Sequence, residues 1–130
     1  MKTIAQSVKF AATPDALFDL YMDAKKHAAA TGAEASITRK VGAPFTALDG
    51  SITGHNLAVV PKRLVVQRWI SNEWDDEEPA STLVLAFSPD ANGARVDLVH
   101  ANVPDDHAAA LDAAWHESYW KPWRAWLKKK

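Results

Sequence analysis

Between residues 44 and 103 the chain is punctuated by turn signals at short intervals, and this limits its fold more than any other feature. Asp49-Gly50 separates Pro44–Leu48 from Ser51–Val60. That pair is a two-residue hairpin signal, because both turn positions favour φ > 0. Pro61-Lys62 then leads into Arg63–Ile70, and Pro89 to Gly93 follows Ser81–Phe87. Leu83, Leu85 and Phe87 alternate onto one face, as do Val96, Leu98 and His100 in the last stretch. Ahead of this block, Thr3 to Phe10 alternates through Ile4, Val8 and Phe10, and Glu34 to Lys40 alternates around Ala35 and Ile37. Six or seven short strands at hairpin spacing predict an antiparallel sheet.

Helices are expected on either side of that block. Thr13 can cap a helix that begins at Pro14, and Asp15 suits the positive end of its dipole. A second short helix is expected from about Asp23 to Thr31, stopping at Gly32. The chain then ends in a long helix from about Asp105 to Leu127. Ala108, Leu111, Trp115, Tyr119, Pro122 and Trp126 make a narrow apolar stripe on it, opposite Glu117, Lys121, Arg124 and Lys128. Pro122 interrupts it, and a kink is expected there. A one-sided antiparallel sheet must cover its other face, and only this helix is large enough. An α+β fold follows, with the sheet wrapped around the terminal helix and a cavity or thinly filled core between them.

The rest of the sequence narrows the function classes. With 130 residues, one domain spanning 1–130 is expected. The lack of cysteine excludes thiol redox catalysis, cysteine-bound zinc and a disulfide framework. A formal charge of −1 argues against a nucleic-acid partner. No apolar run approaches the ~20 residues of a membrane span, and the first residues read as a strand and not as a signal peptide. Cytoplasmic localisation is the expectation.

Leu48-Asp49-Gly50-Ser51-Ile52-Thr53-Gly54-His55-Asn56-Leu57 is similar to a D-G-x-I-x-G-x-N pattern. Pro61 to Val65 ending in Trp69, Val99-His100 with Val103-Pro104, and Trp115 through Tyr119-Trp120 to Pro122–Leu127 continue the match. So does the opening Ala11-Ala12-Thr13-Pro14 with Phe18-Asp19-Leu20. In order and spacing the chain resembles the activator-of-heat-shock-protein-ATPase-like group, relatives of a heat-shock-protein-90 co-chaperone within the START-like (SRPBCC) superfamily. The resemblance implies a helix-grip (START / Bet v-like) fold with a hydrophobic pocket. The co-chaperone's additional N-terminal domain is not expected within this length.

No catalytic motif and no metal spacing occur; His107 and His116 are nine residues apart. His100 falls on the core face, where it can orient a ligand or act as acid or base. The favoured alternative is a histidine satisfied by a local hydrogen bond. Gln6, His55 and Gln67-Arg68 are weaker candidates. In Arg63–Ile70, either Val65, Gln67 and Trp69 or Leu64, Val66, Arg68 and Ile70 look inward, and Gly54 can mark a bulge. Tyr21, Phe45, Trp69, Trp115 and Tyr119 can line a cavity or fill it, with equal weight. On an ideal helix Trp123 lies about 80°, Leu127 about 120° and Trp120 about 140° from the Trp115 stripe. Exposed there, these residues would form a partner or homodimer surface; a kink at Pro122 would bury them instead. The acidic loop Asp75-Asp76-Glu77-Glu78 lacks calcium-loop spacing.

The leading expectation is therefore a binder of a small hydrophobic molecule, monomer or homodimer, without cofactor or metal. The candidate ligand residues are Tyr21, Phe45, Gln67, Trp69, His100, Trp115 and Tyr119. The first alternative is an interaction module that stimulates a heat-shock-protein-90 ATPase, and the second is a cyclase- or hydrolase-type enzyme that uses the same pocket.

Overall fold

Each element begins where local chemistry allows it. The computed structural model describes residues 1–129 and opens with strand β1 (Lys2–Phe10). The Thr13 hydroxyl then accepts the Ala16 N–H at 3.1 Å and starts α1 (Pro14–Met22), with Pro14 in its first turn. Asp23 both ends α1 and caps α2 (Ala24–Thr31) by accepting the Lys26 N–H. Gly32 closes α2 at φ 79, a left-handed conformation that glycine adopts without a Cβ penalty. The strands β2 (Pro44–Ala47), β3 (Ile52–Val60), β4 (Leu64–Ser71), β5 (Ser81–Asp90) and β6 (Gly93–Val103) follow in sequence.

These strands form one antiparallel sheet in the order β1-β6-β5-β4-β3-β2. The alternation of β4 is settled by its neighbours. Val65, Gln67, Trp69 and Ser71 are buried on the inner face beside Leu83 and Leu85, while Arg68 is exposed. The β2–β3 connection is longer than the two-residue turn expected. Ala47 pairs with Ile52, so four residues make the loop, and Leu48, Asp49 and Gly50 all have positive φ. The ladder irregularity in β3 falls between Asn56 and Ala58, not at Gly54.

Glu34 to Lys40 does not become a strand. It makes a single bridge, Ser36 to Thr46. Farther along, the Asn56 side-chain amide donates to the Thr38 and Lys40 carbonyls at 2.8 and 2.9 Å. A buried side chain thus satisfies backbone groups that a ladder would otherwise have used, which leaves six strands.

The C-terminal helix departs from the regular expectation. It runs as α3 (Asp105–Trp115), a π-helical turn (His116–Trp120) and α4 (Lys121–Lys128). In the π-turn the Lys121 N–H reaches back five residues to the His116 carbonyl. Pro122 therefore sits in the first turn of α4, where its missing N–H costs nothing, instead of in a helix interior at ~3 kcal/mol. The irregularity lies before the proline and not at it.

A π-turn acts as one inserted residue and rotates everything beyond it by about 100°. Trp123 then lies about 20° from the Trp115 direction instead of 80°, and Trp120 about 40° instead of 140°. Trp120 is 1% and Trp123 0% exposed. The expectation of an exposed surface at Trp120, Trp123 and Leu127 is thus corrected: both indoles are in the core and Leu127 packs against it half-buried. Trp126, placed on the buried stripe by regular periodicity, is rotated to the edge of the core and packs against it partly buried.

Gln6 fastens this helix to β1. Its amide nitrogen donates to the Asp112 carbonyl and carboxylate at 2.9 and 2.7 Å, and its oxygen accepts the Trp120 indole N–H at 2.7 Å. The sheet, the helix along its inner face and the two short helices after β1 make a helix-grip fold.

Candidate functional site

The space between helix and sheet is divided into a filled half and an open half. In the filled half, Trp115, Trp120, Trp123 and Tyr119 stack against one another and against Phe10, with ring centroids 4.7–6.3 Å apart. In the open half, α3 presents Ala110, Leu111 and Ala114 toward the ends of β3 and β4. Leu111 packs against the core only partly buried, and Trp115 is the one fully buried residue of α3. A cleft of about 230 Å³ remains. Ile52, Trp69, Trp74, Trp115 and Tyr119 form its apolar walls, and Ser51, Ser71, Glu73, His107 and Ser118 carry its polar groups.

Of the candidate ligand residues, Trp69, Trp115 and Tyr119 line this cleft. Tyr21, Phe45, Gln67 and His100 do not; they lie in the closed core. The Tyr21 hydroxyl donates to Gln67 Oε1 at 2.7 Å, and Gln67 Nε2 donates to Asn56 Oδ1 at 3.0 Å. With the Asn56 contacts to the backbone, this chain leaves its members paired. Burial, and then the neighbouring Tyr119, push the Tyr21 phenol well above its ordinary value. The Trp69 indole N–H opposes this weakly. It is close enough to the Tyr21 oxygen to favour the ionised form, yet it has no hydrogen-bond partner.

His100 shows the satisfied arrangement. An indole can only donate, so Trp115 Nε1 at 3.2 Å requires His100 Nδ1 to be an acceptor. Nε2 therefore carries the proton and donates to Ser81 Oγ at 2.7 Å, and Ser81 donates to the Trp69 carbonyl at 2.7 Å. Burial lowers the His100 pKa to about 3, so the ring is neutral. Trp69 and Trp115 cover it on two sides, with centroids at 4.6 and 5.9 Å. These bonds occupy both ring nitrogens.

His27 is a second buried histidine that the sequence patterns did not single out. Nδ1 donates to the Tyr21 carbonyl at 2.7 Å, so Nε2 accepts from the Tyr119 hydroxyl at 3.0 Å. Burial lowers the pKa of His27, partly opposed by the bond to the Tyr21 carbonyl, and burial raises that of Tyr119. Its only sequence signal is weak: an apolar alanine stretch with one histidine.

Trp74 is the site residue that sequence reading passed over. It stands between Glu73 and Asp75 and is 7% exposed. An indole inside an acidic run is itself a signal, since nothing in a solvated tip needs one. His55 and Arg68 pair on the outer side of β3 and β4, away from the cleft. Among the described residues no cluster of His, Asp or Glu has the arrangement of a metal site. No helix among them is long and apolar enough to cross a membrane.

The family model described as activator of Hsp90 ATPase homolog 1-like protein matches residues 11–128. The activator of 90 kDa heat shock protein ATPase homolog from Dictyostelium discoideum is 25% identical over 115 residues, covering 88% of this chain. The chain spans about 30% of the length of that relative. Among solved structures, an HSP90 activator from Plasmodium falciparum has a TM-score of 0.87 at 21% identity, covering 98% of this chain and 97% of that one. The Aha1 dimer from Colwellia psychrerythraea has a TM-score of 0.79 at 14% identity, covering 93% and 92%. A protein from Mesorhizobium loti has a TM-score of 0.81 at 15% identity, covering 99% and 98%. At these identities the structural likenesses show the helix-grip fold. The family model matches nearly the whole chain, and this protein belongs to the activator of Hsp90 ATPase homolog 1-like family.

Proposed function

We propose that the protein binds one small apolar molecule in the cleft between α3 and the ends of β3 and β4. The observation that carries this reading is the cleft itself: about 230 Å³ walled largely by aromatic and aliphatic side chains between α3 and the sheet. An engineered apolar cavity of about 150 Å³ admits benzene, so this one has room for a ring-sized body with a small substituent. Polar groups are the minority of its lining, as is usual for sites that take apolar ligands.

Titration with toluene, followed by tryptophan fluorescence and the indole N–H signals in NMR, tests the reading. Saturable one-to-one uptake is expected for the unaltered protein. It should be lost in Ala114→Trp, where an indole occupies the cleft, with the fold retained by circular dichroism. No uptake by the unaltered protein would remove the proposal.

A second reading is supported by the Plasmodium falciparum neighbour. That protein is named an HSP90 activator, and the likeness spans nearly all of its length. On this reading the chain acts on a heat-shock-protein-90 ATPase. Co-precipitation with such an ATPase and faster ATP turnover are the expected results; absence of both would end it.

A further inference from the structure

We propose that the free edge of β1 and the groove beside it bind an extended acidic peptide, which joins the sheet as an added strand. The sheet order leaves β1 with a neighbour, β6, on one side only. A strand offers hydrogen-bonding groups on both sides, so along the other side alternate N–H and C=O groups of β1 have no ladder partner. No other backbone group among the described residues pairs with them. Such an edge is a template for a further strand, with main-chain bonds giving affinity and side chains giving selectivity.

A groove follows this edge, and Ser7, Val8 and Lys9 all line it. Consecutive strand residues point to opposite faces of the sheet. A groove that touches three in a row therefore lies against the rim of the strand and not over either face. Its far bank is the C-terminal helix, with His116, Lys121 and Arg124. A strand laid in the groove would turn every second side chain toward that bank and the others toward solvent.

The charge of the groove selects the peptide. Lys9, Lys121 and Arg124 line it against one carboxylate, Glu117. The acidic groups nearby are engaged: Asp97 by Ser7 and Arg95, Asp90 by Lys9, and Asp112 by Gln6. Lys121 and Glu117 make an exposed pair at 3.6 Å, which an incoming carboxylate replaces at little cost. Arg124 has no carboxylate partner among the described residues. Its guanidinium lies over the Phe10 ring at 4.7 Å, which sets its position and leaves its N–H fork for a carboxylate. A second copy of this chain is disfavoured at the edge, because it would bring its own Lys121 and Arg124 to the same seam.

The test uses a labelled, end-blocked peptide that alternates glutamate with valine over the length of β1, followed by fluorescence anisotropy and by amide hydrogen exchange in NMR. Saturable binding is expected, with slower exchange at alternate residues of β1. The glutamine counterpart should bind at least about fivefold more weakly at low salt, as two exposed ion pairs imply. Raising the salt to about 1 M should remove the difference. Arg124→Gln combined with Lys121→Gln, both at exposed positions, should weaken the glutamate peptide to a similar degree. N-methylation of one alternate set of peptide amides should abolish binding and methylation of the other set should spare it, because a strand bonds its neighbour through every second residue. Equal binding of the glutamine peptide overturns the proposal, as does binding of both methylated peptides or no binding of the glutamate peptide at all. A doubled mass in sedimentation, with β1 already protected in the absence of peptide, makes a second copy the occupant and overturns it as well.

Discussion

The Trp115 indole N–H donates to His100 Nδ1 at 3.2 Å, joining the C-terminal helix to the centre of the sheet. This one bond fixes the tautomer of His100 and with it the proton arrangement of Ser81 and the Trp69 carbonyl. It also holds the inner wall of the cleft, since Trp69 and Trp115 both line it. Core order and site geometry thus depend on a neutral imidazole.

Stability should therefore fall in mild acid. His100 has its pKa lowered to about 3 and His27 is lowered too, whereas unfolded histidine titrates near 6.5. Below about pH 6.5 the unfolded chain takes up protons that the folded one refuses. The stabilisation is complete above that value and is lost as pH falls toward 3. Each buried histidine contributes a slope of up to about 1.4 kcal/mol per pH unit. Urea midpoints between pH 7 and 4.5 measure it. His100→Gln is expected to be less stable at pH 7 but to show a shallower decline; an unchanged slope would show that His100 is not responsible.

The π-turn predicts an order of sensitivity opposite to that of a regular helix. Trp123→Ala should cost about 3–5 kcal/mol, the range for a large core aromatic. Trp126→Ala should cost less, because Trp126 is only partly buried at the edge of the core. Guanidinium denaturation of both variants decides the matter, and a larger loss at Trp126 would contradict the π-turn.

Removing one hydroxyl should expose a buried acceptor. In Tyr119→Phe, His27 Nε2 loses its donor, and an unsatisfied buried polar group costs about 1–3 kcal/mol. Tyr21→Phe should cost a similar amount through Gln67 Oε1. Ser7→Ala, which breaks an exposed bond to Asp97, is the control and should change stability by less than about 0.5 kcal/mol. Thermal melts with all three variants side by side provide the comparison.

Gly54 should tolerate no side chain. A Cβ built there would sit 1.8 Å from the Arg68 carbonyl oxygen and 2.9 Å from the Phe45 ring. The partner atom is backbone in the next strand, so Gly54→Ala should displace β3 from β4 and yield little folded protein. Soluble expression and dispersion of the amide NMR spectrum report this directly; a well-dispersed spectrum would refute it.

Much of the fold is legible locally. Alternation placed β1, β5 and β6, and Thr13-Pro14 and Gly32 marked helix ends, because caps and pleats depend on near neighbours in the chain. The site was legible only in part. Trp69, Trp115 and Tyr119 are candidates by ring type, and they line the cleft. Tyr21 and Phe45 share the ring type, and Gln67 and His100 are the polar candidates, but all four lie in the closed core. Trp74 was missed because acidic neighbours disguised it as part of a solvated loop.

The sequence by itself determined the run of antiparallel strands, the helices on either side of it and the apolar stripe that draws the last helix onto the sheet. Only the tertiary structure decided which face of β4 turns inward, that Glu34–Lys40 is held by Asn56 instead of a neighbouring strand, and where the C-terminal helix is interrupted. Helical and strand periodicities assume a constant rotation per residue. The π-turn changes that rotation once, where Trp120 reaches Gln6 on β1, and a contact between residues 114 positions apart leaves no trace in the local pattern.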